Sequence, residues 1–183
     1  MKKWLIGSLV GAILLFGWQG LSWMVLNIHK DAGKYSPAQD SIMSYLSSTI
    51  TEDGAYMLPA PKPGSSKKEC QDMMKQMDGK PWASLIYHKS FKADMVMPMV
   101  RGFLVDFVIV LLLVVLLTKG GLPGFAGVVT GSLAVGVITF LWGPYMGHVW
   151  YDLPWGMIRG DMLDAVVAWG LCGIWLGWWL NKK

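Results

Sequence analysis

The sequence is short of charge, cysteine and histidine, and no catalytic signature appears in it. Charged residues are 15% of the 183, against roughly 25% in a soluble domain, so a single water-soluble globule is a poor fit. The two cysteines, Cys70 and Cys172, exclude a disulfide scaffold, and neither belongs to a C-x-x-C pair. His29, His88 and His148 all fall outside the deep parts of the apolar runs, which leaves no axial pair for haem. No Ser/His/Asp order, phosphate loop or zinc spacing occurs, so the sequence gives no support to an enzyme. The net charge of +4 does not point to nucleic acid, because the lysines lie in one acid-balanced loop or at the ends of apolar runs.

Apolar residues are abundant: 54% hydrophobic and 13% aromatic, with a mean hydropathy of +0.41. A bilayer core needs about 20 consecutive, mostly apolar residues to be crossed by a helix. Four runs meet that requirement: Trp4 to Leu26, about Met95 to Thr118, about Leu122 to Trp142, and about Met157 to Leu180. The first follows Met1, Lys2 and Lys3 as a signal peptide would. Its apolar stretch is longer than a signal core, however, and no small-x-small cleavage site follows, so it reads as a retained helix. The expected fold class is all-α transmembrane, a four-helix membrane bundle. Residues 1–26 form the first helix, residues 27–94 an extracytoplasmic α/β insert, and residues 95–183 three further helices.

Orientation follows from the lysines. Four spans put both termini and the Gly120-Gly121 turn on one side, with Lys2, Lys3, Lys119, Lys182 and Lys183 and no acid. The insert holds nine lysines against eight acids, but long loops translocate largely regardless of charge. The reading is a multi-pass bacterial inner-membrane protein with both termini cytoplasmic and the insert periplasmic. Trp4, Trp178 and Trp179 mark an inner aromatic belt, and Trp23, Trp142, Trp150 and Trp155 an outer one.

The insert has its own pattern. Ser36-Pro37-Ala38-Gln39 reads as a capping box with proline at the first helical position. Ile42, Met43, Tyr45, Leu46 and Ile50 then recur at helical spacing. Gly54 to Pro59 reads as a short strand, Ser66 as the cap of a second helix through about Met77, and Trp82 to His88 as a second strand. Two strands alone are marginal in water, so this small α/β cap needs something to lean on.

Three features are candidates for function. Small residues recur four apart at Gly7 and Gly11, Gly120 and Gly124, Gly127 and Gly131, and Gly173 and Gly177. Such faces allow close helix packing, either inside the bundle or against another chain, and the third span is the best candidate for docking. Ionisable residues inside spans cost about 2.5–3.5 kcal/mol each on insertion scales. Arg101 and Asp106 lie about 140° apart on the second span and do not face each other. Arg101 lies instead at the depth of Asp161, Asp164 and Gln19. The expectation is a polar clamp of Arg101, Asp106, Asp161, Asp164 and Gln19, with Arg101 paired to Asp161 or Asp164. The alternative is an outward pocket with Asp106 at its floor, able to take a proton or cation. Finally, Met95, Met97 and Met99 with His88 offer thioether and imidazole ligands suited to Cu(I), although methionine in such chains also serves as flexible packing. Met73, Met74 and Met77 form a second cluster in the insert.

Trp18 and Trp23, Gly-Ala-Tyr-Met-Leu-Pro at 54–59, Gly-Phe-Leu-Val-Asp at 102–106 and Tyr-Asp-Leu-Pro-Trp at 151–155 carry a further observation. In these features and in its four-span layout the chain resembles a group of bacterial inner-membrane proteins. That resemblance implies the topology and an envelope setting, and brings no activity with it. The leading expectation is a non-catalytic accessory or assembly subunit without a cofactor. Its partners are the lipid bilayer and other integral membrane subunits, or further copies of itself. A small proton- or ion-coupled carrier built round Asp106 and a copper-binding role are the alternatives.

Overall fold

Long apolar runs with almost no interior proline or charge leave the helical hydrogen-bond ladder uninterrupted, and four long helices result. A computed structural model describes residues 2–121 and 124–182. Leu122, the expected start of the third apolar run, and Lys183 of the terminal lysine cluster lie outside the described residues. The chain is about 70% helical, with four helices long and apolar enough to cross a membrane and a two-stranded sheet. It divides into two compact units, Met1–Lys34 with Asp94–Lys183, and Tyr35–Ala93.

In the larger unit, α1 (Lys2–Gly20) continues into a π-helical turn, Leu21–Val25. Asn27, at φ 50°, ends it in the left-handed conformation that asparagine tolerates. Helix α4 spans Val96–Lys119, with Pro98 in its first turn, where a missing N–H costs nothing. Helix α5 spans Gly124–Phe140 and runs through a second π turn, Leu141–Tyr145, into α6, Met146–Tyr151. Pro144 sits inside that π turn. The helical path therefore passes well beyond Trp142, where the sequence placed a loop. A widened turn absorbs the proline that would break a regular α-helix. Asp152, at φ 48°, ends α6, and His148 Nδ1 donates to the Leu153 carbonyl at 2.6 Å to close the corner. Helix α7 spans Trp155–Asn181.

Helix α7 is the axis of this unit. Both α1 and α5 pack along it, whereas α4 packs along α1 and meets α5 at few points. The apolar core joins Leu15, Val110, Val114, Val128, Cys172 and Leu176. Glycines set its tightness. A side chain on Gly11 would meet Val110 and Cys172, one on Gly173 would meet Ser132 and Val129, and one on Gly177 would meet Phe125. A Cβ on Gly136 would run into the Ala165 carbonyl oxygen and the Trp169 ring. At the terminal end, Trp175 Nε1 donates to Gly7 O at 2.9 Å and Trp179 Nε1 to Lys3 O at 2.7 Å.

The smaller unit, Tyr35–Ala93, contains α2 (Gln39–Thr49), β1 (Gly54–Leu58), α3 (Lys67–Met77) and β2 (Ala83–Tyr87). The strands pair antiparallel, from Gly54 opposite Tyr87 to Leu58 opposite Ala83. Ser66 and Glu69 make a reciprocal capping box at the start of α3. At α2 the expected box does not form. The Ser36 hydroxyl accepts from Ala38 N and its carbonyl from Gln39 N, so Pro37 and Ala38 form a turn and the helix starts at Gln39. Asp53 ties the open end of the hairpin by accepting from Lys89 N at 2.9 Å, with His88 Nδ1 3.4 Å away. Among the described residues of this unit, Tyr87, 5% exposed, is the only buried apolar side chain. Tyr45, Met74, Trp82, Ile86 and Phe91 are all exposed.

Two outcomes follow from this packing. Gly136→Ala should lower stability by about 1–3 kcal/mol, because the new methyl meets backbone rather than a mobile side chain. Gly17→Ala, with open space around it, should not. Thermal unfolding of both variants in one detergent separates the two. The second outcome concerns pH. The Lys89 amide, then His88, holds the Asp53 carboxyl below its ordinary value of 3.8, and Ser66 holds Glu69 below 4.5. A carboxyl lowered on folding adds stability above its unfolded pKa and loses it as pH falls through the folded one. Hydrogen exchange in the full chain should therefore show the β1–β2 amides protected down to about pH 5 and losing protection below about pH 4. Asp53→Asn should remove that dependence.

Candidate functional site

The polar groups of the larger unit collect where the end of α1, the residues just after it and the first turns of α7 come together. Two residues four apart share a helix face, and on α1 this rule sorts the polar groups into two rows. Trp18 and Ser22 face α7, where Trp18 Nε1 and Ser22 Oγ both donate to Asp164 Oδ1, at 2.8 and 2.7 Å. Gln19 and Trp23 form the next row. Gln19 Nε2 donates to Asp106 Oδ1 at 3.3 Å, and the Trp23 indole stacks on the His29 ring at 3.9 Å between centroids.

His29 completes the arrangement. Its Nε2 lies 2.9 Å from Asp164 Oδ2, and its side chain is 2% exposed. With Nε2 facing a carboxylate, that nitrogen carries the proton and donates. Nδ1 has no hydrogen-bond partner and lies 3.9 Å from Asp161 Oδ1. The ring fits because α7 has no side chain beneath it: a Cβ on Gly160 would lie 2.6 Å from the imidazole. One turn earlier, a Cβ on Gly156 would touch the Asp31 backbone, and the Arg159 guanidinium pairs with the Asp31 carboxylate. Gly156, Gly160 and Asp164, each four apart, thus make a shelf on α7 into which residues 29–31 drop.

Asp164 is a fully served carboxylate with three donors. Asp106 is not. It is 6% exposed, has Gln19 alone as donor, and leaves Oδ2 buried without a partner. Both acids, with Asp161, line an open cavity of about 340 Å³ shared with Gln19, Trp23 and Trp169. Both π turns border it, through Trp23 and through Pro144 with the preceding Phe140. π turns recur at functional sites because they redirect side chains out of the regular helical register.

Arg101 is not the clamp's cation. It is exposed, and no carboxylate lies within ion-pair distance of it among the described residues. With α4 packed on α1 rather than on α7, Asp106 points inward, and the 140° between them turns Arg101 out. It lines a neighbouring cleft with Gln19 and Asp106 instead. His29 holds the place by Asp164 that was expected of Arg101. The sequence signal for it was present: a histidine three residues past the end of the first apolar run, and a Gly-x-x-x-Gly-x-x-x-Asp stripe on the fourth.

The remaining expected residues separate. Gly7, Gly11, Gly131, Gly173 and Gly177 all meet side chains of neighbouring helices, so these faces are spent inside the unit rather than on docking. Gly120 is the C-cap of α4, Gly124 has open space around it at φ +73°, and Gly127 is half-buried on α5. Met95 caps α4 and Met97 and Met99 lie in its first turn, all exposed. Residues two apart on a helix point to opposite sides, so Met95 and Met99 share a face that Met97 does not. His88 lies beside Asp53 in the smaller unit. No protein family, curated protein or solved structure matches the chain.

The clamp can be weighed by substitution. Asp164→Leu removes one acceptor and strands three donors, and should cost about 3–5 kcal/mol. His29→Ala should cost about 1.5–3 kcal/mol. Arg101→Leu should stay within about 0.5 kcal/mol of the parent. Unfolding midpoints in a common detergent check all three, and a large loss for Arg101→Leu would restore Arg101 to the clamp.

Proposed function

We propose that the chain is a non-catalytic accessory or assembly subunit of a larger bacterial inner-membrane complex. In this reading both termini are cytoplasmic, in keeping with their lysines, and residues 27–94 are periplasmic. One observation carries it: a unit of two short helices and two strands that buries a single apolar side chain, Tyr87, while Trp82, Ile86 and Phe91 stay exposed. A unit of that size cannot offset its chain entropy from so small a core. It needs a further surface, and a periplasmic domain of another subunit provides one.

The polar groups of the larger unit favour the same reading over a carrier. Asp164 is satisfied within the chain, and Arg159 pairs with Asp31. Beyond the cavity, towards the termini, lies the apolar core of Val110, Val114, Cys172 and Leu176, closed on Gly11, Gly173 and Gly177. A transported ion would have to cross that packed layer.

Extraction from its own cells in a mild detergent tests the proposal. The protein should co-purify in fixed ratio with larger integral membrane subunits. Recovery only as a monomer or homodimer, together with pH-dependent uptake in liposomes that Asp106→Asn abolishes, would establish the carrier instead.

A further inference from the structure

The cavity beside Asp106 has the chemistry of a ligand site, and the geometry points to a small organic ammonium ion, a primary amine on an aromatic or short aliphatic body, as its occupant. The site lies within this chain's own helices and needs no partner to complete it.

Three observations converge. First, the cavity is lined by three carboxylates, Asp106, Asp161 and Asp164, and by no lysine, arginine or histidine. Asp164 already accepts from three donors and Asp161 is part-exposed beside His29. The open acceptor belongs to Asp106, which lines this cavity and whose Oδ2 is buried without a partner. The cation nearest in the sequence, Arg101, does not serve it. Native structures rarely leave such an atom unpaired. Second, the remaining wall is aromatic. Trp23, Phe140 and Trp169 line the same space, and indole and phenyl faces attract a cation through their quadrupoles, tryptophan most strongly. Third, the volume of about 340 Å³ lies at the small end of the range for ligand pockets.

A bare metal ion fits less well. Hard cations need several oxygens converging at about 2.0–2.6 Å, and among the described residues no three His, Cys, Asp or Glu side chains come together to hold one. An ammonium group asks for less. One N–H donates to the Asp106 carboxylate, Gln19 and Thr139 on the same wall offer further oxygens, and the apolar body lies against the aromatic rings.

Benzylammonium is a suitable probe, with benzyl alcohol as its uncharged match in size. For the full-length chain in detergent, benzylammonium should raise the unfolding midpoint saturably and bind in calorimetry at least tenfold more tightly than benzyl alcohol. Asp106→Asn, if its own unfolding stays cooperative, should weaken benzylammonium at least tenfold and leave benzyl alcohol unchanged. Equal binding of the two probes by the parent chain would overturn the proposal without any variant. So would undiminished binding by Asp106→Asn, or saturable stabilisation by sodium ions with benzylammonium inert.

Discussion

The Asp164 carboxylate is the contact on which the larger unit turns. One oxygen accepts from Trp18 and Ser22 on α1, and the other from His29 just beyond it, so a single acid on α7 fixes the rotation, depth and exit of α1. An isolated buried carboxylate is costly, and three donors convert that cost into geometry. Every donor has a direction, and all three are met only at one register of α1 on α7. The rest follows by adjacency: with α1 set, Gln19 is aimed at Asp106 and thereby sets the rotation of α4, and Gly11 is placed where Val110 and Cys172 close on it. Apolar packing alone would tolerate small slides along these helices, since Leu, Val and Ala surfaces resemble one another from turn to turn.

The unit therefore has two regimes along its length. Towards the termini, glycine contacts bring backbones close around an apolar core. Towards the other end, charged and aromatic groups enclose a cavity bordered by two π turns. The division has a cause in sequence. Glycines allow close approach in both halves, at Gly11, Gly173 and Gly177 towards the termini and at Gly136, Gly156 and Gly160 towards the other end, and the cavity lies where Gln19, Trp23, Asp106 and Pro144 stand instead. Where backbones cannot approach and side chains are polar, space remains.

Much of this was legible in the sequence. Length and hydropathy located three of the four long helices to within a few residues, because an uninterrupted apolar run has few alternatives, and the third runs on to Tyr151, nine residues past its expected end. Ser66, placed three residues before Glu69, announced its helix, and Gly54 to Pro59 its strand. The failures have physical reasons. Ser36 and Ser66 both precede a glutamate or glutamine by three, but Pro37 leads into a tight turn and delays α2. Gly143-Pro144 has the look of a loop, and only the wider π turn lets the helix continue. Asp106, Asp161, Asp164 and Gln19 were found because charge and amide groups are rare in such segments, and all of them line the cavity. Arg101 was assigned to the same layer from its depth. Depth is only one coordinate, however, and the neighbour a residue faces depends on which helices touch. Sequence periodicity does not specify that α4 packs on α1 rather than on α7.

Asp106 and Asp164 then make an instructive pair. Both are acids in apolar helices, and by composition alone they are equivalent. Asp164 lies on the stripe with Gly156 and Gly160, and the missing side chains admit His29 to it. Asp106 lies on a helix that touches the remainder mainly through α1, so only one donor, Gln19, comes within reach. The difference in satisfaction is thus a consequence of helix adjacency. The acid on the central helix becomes a fixed part of the scaffold, and the one on the peripheral helix keeps an acceptor to spare. A bundle in which α4 packed against both α1 and α7 would bury Asp106 among more donors and close the cavity. The open arrangement leaves the chain with a carboxylate oxygen that none of its described side chains meets.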